Sequence, residues 1–199
     1  MEGTIFYWIG WMCWVCSTFY MKKSKERFLL SVFFLVLIIV SPYSFVLGTI
    51  KINISIFFIL LFCFREISKK SSKQKLYLLI CILTISLAYS SFLLFELYDP
   101  VWLLFNRNLM LSAALIYVTL MLVKDFRSRI IALLIGAIQG DFLYGIVVTN
   151  INFSYDIGSF VFLDVIAISF CFIFIWSSIE VLLNHFDVLF QKNTKEKHG

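Results

Sequence analysis

The sequence predicts an all-α, polytopic membrane protein of seven transmembrane helices. Its 199 residues are 61% apolar with a mean hydropathy of +0.94, whereas soluble domains are about 45–50% apolar. Seven long apolar segments fill the chain, and a transmembrane helix needs about 20 mostly apolar residues. The segments are continuously apolar and lack the in–out alternation of a membrane β-barrel. Helical spans are therefore predicted.

The segments lie at 5–21, 28–47, 52–64, 76–95, 101–123, 130–149 and 160–183, in a single helical-bundle domain over 1–199. Pro42 lies near the outer end of the second, where a kink costs little. The third is the shortest, and we expect Gly48 and Thr49 to extend it outward. Residues 184–199 form a short tail, which is either an amphipathic helical extension or a frayed helix end before a disordered charged terminus.

Basic residues lie in alternate loops. Fifteen of the 17 Lys and Arg residues fall within 22–27, 65–75, 124–129 and 192–197, while the opposite loops carry Lys51 alone. Because basic loops stay in the cytoplasm, the N-terminus is predicted outside and the C-terminus inside. If the third segment did not cross, this alternation would collapse, so we count it as a span.

The composition and the charges indicate the location and the lipid partners. Abundant Phe, Ile, Lys and Asn are typical of an AT-rich bacterial genome, so we expect a multi-pass protein of the bacterial cytoplasmic membrane. Its basic loops should face anionic lipid headgroups. Membrane-protein partners are also expected, and nucleic acid is not, since the net charge of +5 is accounted for by the membrane topology.

Charges inside the apolar segments are the best candidates for a site, since each needs a partner or water. Arg107, between Asn106 and Asn108, lies roughly 10 Å below the outer boundary, at about 1.5 Å per residue. Asp141 in the next segment lies at a similar depth. We therefore predict an Arg107–Asp141 ion pair. Asp164 either joins this cluster or lies favourably near a helix N-terminus.

Two interpretations of this cluster stay open. It can form a polar outer-leaflet pocket, with Gln139 and Tyr144, that holds a ligand or lines a transport path. The alternative, which we favour, is a structural ion pair that fixes how the last three helices dock, as polar residues in small bundles often do.

Small residues recur every fourth position in the sixth segment, at Ala132, Gly136 and Gly140. Such a ridge lets another helix approach closely. We predict a helix-packing face, within the chain rather than between two copies.

No catalytic residue, metal or cofactor is predicted, and we expect no enzyme. Cys13 and Cys16 form a C-x-x-C pair, but in a membrane segment, where small apolar packing residues are the simpler explanation. The two histidines, His185 and His198, lie outside the membrane core. Gly140-Asp141 lacks the first glycine of the Gly-x-Gly-Asp stretch found in intramembrane aspartyl proteases.

The chain opens Met-Glu-Gly and continues Tyr7-Trp8-Ile9-Gly10-Trp11. In these residues, in size and in topology it resembles the YphA (SeaA) family of small Bacillus membrane proteins. The resemblance implies a protein of spore-forming bacteria, associated with spore-envelope assembly and without a defined biochemical activity. It supplies no catalytic or binding residues.

We therefore expect a non-enzymatic integral membrane protein that supports cell or spore envelope assembly through protein or lipid partners. The alternative is a small transporter or permeation pathway with a polar outer-leaflet site around Arg107 and Asp141. A membrane enzyme is a third and weaker possibility.

Overall fold

Seven α-helices make up most of the computed structural model, which describes residues 2–47, 50–151 and 154–196. They are α1 (Thr4–Val15), α2 (Lys25–Val40), α3 (Ser55–Ser68), α4 (Ser72–Tyr98), α5 (Arg107–Leu122), α6 (Phe126–Asn150) and α7 (Phe160–Glu196). A π-helical turn at Cys16–Tyr20 follows α1, and a 3-10 turn at Pro100–Trp102 precedes α5. Gly48 and Thr49 lie outside the described residues.

Polar side chains fix several helix starts. Ser24 accepts a hydrogen bond from the backbone N–H of Arg27 at the start of α2, and Asn106 and Asp125 cap α5 and α6 in the same way. A side-chain oxygen at the N-cap satisfies a backbone donor that the helix itself leaves unpaired.

A small sheet corrects the all-α prediction. Strands β1 (Ser44–Leu47), β2 (Ile50–Asn53) and β3 (Asp156–Ile157) form it in the order β1-β2-β3. β1 and β2 are antiparallel, and β2 and β3 are parallel with Ile52 opposite Ile157. The second segment therefore ends as a helix at Val40, before Pro42. An apolar run does not distinguish a helix end from a buried strand, which is why the sequence missed β1 and β2.

Helix length identifies three candidate spans among the described residues. These are α4, α6 and the Phe160–His185 part of α7, while α5 is a shorter apolar helix. At about 1.5 Å per residue, α3 and α5 are roughly 21 and 24 Å long, against about 30 Å of hydrocarbon. The structure thus shows a mostly helical chain with three helices long and apolar enough to cross a membrane among its described residues, and the prediction of seven spans depends on the charge pattern.

Helix α6 lies at the centre of the bundle. It packs most extensively on α4 and also touches α3, α5 and α7, while α1 packs on α2 and α7. The backbone of α7 continues as helix to Glu196.

Candidate functional site

Asp141 lies on the central helix α6, and its side chain is fully buried. Its carboxylate accepts three hydrogen bonds from separate parts of the chain. Tyr89 of α4 and Tyr155 donate their hydroxyls to Oδ1, over 3.0 Å and 2.6 Å. The backbone N–H of Gly158 donates to Oδ2 over 2.8 Å. An ionised carboxylate accepts only and has about four lone-pair sites, so these three donors suit it.

The loop after α6 brings two of these donors inward. The Tyr155 ring packs edge-on against Tyr144, with 4.9 Å between centroids. Burial, and then the charge of Asp141, raises the pKa of Tyr155, so its hydroxyl keeps the proton it donates. Gly158 has φ +72°, and a Cβ there would collide with the Ile56 side chain. Glycine is needed at this position for both reasons.

The predicted Arg107–Asp141 ion pair is wrong. Arg107 Nε instead donates to Glu96 Oε2 near the end of α4, over 2.8 Å. Asn106 caps α5 by accepting from the N–H of Asn108 over 3.0 Å, so Arg107 is the first residue of a helix and not a residue within one.

The error has a physical source in residues 101–106. They are apolar enough to suggest a continuous span, yet only Pro100–Trp102 is helical there, as a 3-10 turn. The Asn106 cap was the signal in the sequence for the true helix start.

Asp164, in the first turns of α7, caps α1. Its buried carboxylate accepts from the backbone N–H of Gly3 (Oδ2, 2.8 Å) and of Phe6 (Oδ1, 2.8 Å). The sequence left open whether Asp164 joins Asp141 or lies at a helix N-terminus. The structure places it at a helix N-terminus, but that of α1 rather than its own. A carboxylate there satisfies free N–H groups and meets the positive end of the helix dipole.

The small-residue ridge of α6 faces α4. A Cβ on Gly136 would lie 2.7 Å from Ile85 Cγ2, and one on Gly140 would lie 2.7 Å from Tyr89 Cβ and 2.8 Å from the Ser86 carbonyl oxygen. Ala132 is fully buried on the same helix. The close approach lies within one chain, and it brings Tyr89 next to Asp141.

Sequence reasoning missed an ion pair at the other end of α6. Arg129, which the sequence analysis assigned to a basic loop, is only 5% exposed. Its guanidinium donates to both oxygens of Glu180 on α7, over 2.7 and 3.1 Å, and to the Val123 carbonyl. Such a bidentate arginine–carboxylate pair is among the stronger charged contacts. The signal for it was Glu180, the single acidic residue in the inner half of the seventh apolar segment.

These contacts belong to a chain whose relatives are membrane proteins. A family model described as "YphA-like integral membrane protein" matches residues 2–199. The chain belongs to this family. It is also 26% identical over 200 residues to "Uncharacterized protein YphA" of Bacillus subtilis (strain 168), covering 100% of this chain and 98% of the relative. No solved structure gives a significant match. The resemblance drawn from the sequence is thus confirmed.

In this YphA-like protein the predicted site residues are distributed over separate clusters. Asp141 lies with two tyrosines, Arg107 lies with Glu96, and Asp164 lies at the N-terminus of α1. Tyr144 meets the first cluster through Tyr155. Gln139 lines a groove beside α3 and α4.

The hydrogen bonds in these clusters stabilise the tertiary structure. In the part of the chain that the structure describes, the only buried side-chain nitrogen or oxygen without a hydrogen-bond partner is Thr119 Oγ1. Each buried acid instead joins elements distant in sequence. Asp141 joins α6 to α4 and to the loop around β3, and Asp164 joins α7 to α1.

Proposed function

We propose that this protein is a seven-pass, non-enzymatic component of the bacterial cytoplasmic membrane that supports cell or spore envelope assembly through protein or lipid partners. Its N-terminus lies outside and its C-terminus in the cytoplasm. Membership in the YphA-like integral membrane family supports the membrane setting. The role in sporulation comes from the family resemblance, and the structure contributes two further arguments.

The first argument concerns topology. At one end of the bundle, Lys70 of the α3–α4 turn contacts Asp125 of the α5–α6 connection over 3.2 Å. At the opposite end, Lys51 of β2 pairs with Asp156 of β3 over 2.7 Å. Loops that the charge rule assigns to one side thus meet each other. Both contacts are consistent with α3 and α6 each crossing once between these two ends. The excess of Lys and Arg in the loops at the Lys70 end then assigns that end to the cytoplasm under the proposal.

The second argument, on which the proposed function depends, concerns the hydrogen bonds that occupy the Asp141 carboxylate. Three protein groups, the hydroxyls of Tyr89 and Tyr155 and the N–H of Gly158, donate hydrogen bonds to its carboxylate, and its side chain is fully buried. A transport path or a ligand site through this residue would have to break bonds that hold α4, α6 and the β3 loop together. A scaffold needs these bonds intact. The arrangement therefore supports an assembly role over the transporter alternative.

Topology is tested by alkaline phosphatase fusions, because this enzyme is active only outside the cytoplasm. Fusions after Asp99 and Asp156 should be active, and fusions after Lys70 and Asp125 inactive. Green fluorescent protein at the same four points should give the reverse pattern. Activity after Lys70 would contradict the crossing of α3.

Function is tested by deleting the gene in the native host and counting heat-resistant spores per viable cell. Deletion should lower this count, and wild-type protein should restore it. Asp141→Asn, which weakens the fold, should complement to the extent that the protein still accumulates, since the residue stabilises the fold and performs no chemistry. An unchanged count on deletion, or an Asp141→Asn protein that accumulates normally yet fails to complement, would contradict the proposal.

A further inference from the structure

Helices α3 and α4 leave a groove between them. They are joined by a tight turn at residues 69–71, yet they make few contacts with each other, and each packs instead on α6. Two antiparallel helices with so short a connection usually pack side by side. The gap has a volume of about 330 Å³, and α6 forms its floor through Ile135 and Gln139.

The walls of the groove are apolar and open to the surroundings of the bundle. Phe64 of α3 is 58% exposed, and Leu79 and Leu83 of α4 are 54% and 44% exposed. Ile67 and Ile82 continue the two walls. From Lys75 to Ile82 this surface runs for about 10 Å, at about 1.5 Å per residue. An apolar groove of this length suits part of a hydrocarbon chain.

The groove has a basic mouth. Lys75 lines it directly, and Arg65 and Lys73 are exposed on the neighbouring turns of α3 and α4. The nearest acid along α3, Glu66, is already paired with Lys69 over 2.6 Å. Positive charge therefore exceeds negative charge at this end, where an anionic group is favoured.

We propose that the groove holds one acyl chain of an anionic phospholipid from the inner leaflet, with the lipid phosphate on the ammonium group of Lys75. This inference rests on the membrane orientation proposed above, which puts Lys75 at the cytoplasmic boundary. The volume of the groove, about 330 Å³, favours a lipid chain over a protein helix, because a helix about 10 Å across would need roughly 800 Å³ over a length of about 10 Å. Gln139 ends the apolar part of the channel.

Native mass spectrometry of the full-length protein tests the site. The detergent-purified protein is titrated in parallel with dioleoyl phosphatidylglycerol, which is anionic, and dioleoyl phosphatidylcholine, which is zwitterionic. Wild type should retain one phosphatidylglycerol molecule in preference to phosphatidylcholine. Lys75→Gln should lower phosphatidylglycerol retention about fivefold, the factor that the attraction of one lysine to an anionic headgroup supplies.

Matched variants separate the groove from the rest of the basic end. Lys22→Gln removes an exposed lysine elsewhere at the same end and should leave retention unchanged. Leu79→Trp fills the groove and should abolish retention. Leu76→Trp adds the same bulk at an exposed position of α4 outside the groove and should not. All four variants lie at exposed positions, so folding is expected to survive.

Equal retention of the two lipids by wild type would overturn the proposal, as would equal effects of Lys75→Gln and Lys22→Gln, or of Leu79→Trp and Leu76→Trp. The readout uses purified protein and is independent of spore counts. A normal spore count on deletion with intact lipid retention would therefore refute the assembly role and leave the lipid site standing.

Discussion

Replacing Asp141 by Asn should destabilise the fold without removing any bulk. The Asn oxygen can keep the Tyr89 and Tyr155 hydroxyls, but its NH₂ group then faces the N–H of Gly158, which now lacks an acceptor. An unsatisfied buried donor costs about 1–3 kcal/mol. The two remaining bonds also lose their charge assistance. Together these effects predict a loss of about 3 kcal/mol in the free energy of unfolding, or roughly 10 °C in Tm for a chain of this size.

The matched control is Asp156→Asn, the same substitution on β3, at a residue that follows Tyr155 in sequence but makes no hydrogen bond to Asp141. Asp156 is half-exposed and forms a surface ion pair with Lys51, which is worth about 0–1 kcal/mol. Tyr155→Phe removes only one of the three donors to Asp141, and it should cost about 1 kcal/mol, as single polar contacts between membrane helices do.

The assay is thermal unfolding in mild detergent, followed by tryptophan fluorescence, with the monodisperse fraction measured by size-exclusion chromatography. The expected order of stability is wild type, then Asp156→Asn, Tyr155→Phe and Asp141→Asn. If Asp141→Asn unfolded at the same temperature as Asp156→Asn, the three hydrogen bonds would contribute nothing and the reasoning would fail.

Three further predictions concern other contacts. Gly140→Ala should lower the free energy of unfolding by at least about 2 kcal/mol and reduce membrane accumulation, because the new methyl group meets a rigid backbone carbonyl. Gly10→Ala is the control and should accumulate normally, since its methyl group meets only the flexible Ile38 side chain, at 3.3 Å. Asp164→Ala should cost about 1–2 kcal/mol by uncapping α1 and should speed protease cleavage near the N-terminus, whereas an unchanged cleavage rate would refute the cap. Hydrogen bonds from the hydroxyl of Ser128 and then from the ammonium of Lys70 lower the pKa of Asp125. The ionised Asp125 therefore stabilises the fold above the pKa of a free aspartate, about 3.9, and this stabilisation is lost as the pH falls through the lowered pKa. Asp125→Asn should remove this acid-dependent step from a pH titration of Tm.

Family, membrane setting and most helix positions could be derived from the sequence because they depend on local properties. Hydropathy over about 20 residues reflects the need to satisfy backbone groups inside a bilayer. The resemblance carried by the first residues was confirmed by a match over 2–199. The small-residue ridge of α6 was also visible, since its spacing is a helical period.

Which charged and polar side chains contact each other was decided only by the tertiary structure. Arg107 and Asp141 looked matched because depth was counted along continuous helices, whereas the Asn106 cap shifts the start of α5 and places Arg107 beside Glu96. The true partners of Asp141 lie 52, 14 and 17 residues away in sequence. No periodicity within one segment encodes such distant contacts.

The sequence by itself determined that this is a helical membrane protein whose basic residues fall in alternate loops, because a bilayer selects long apolar segments and excludes charges from them. The tertiary structure decided where apolar runs become strands, which acid meets which donor, and where a groove remains between α3 and α4. These features depend on the close packing of side chains from distant segments, and each buried polar group takes the partner that this packing brings within hydrogen-bond distance.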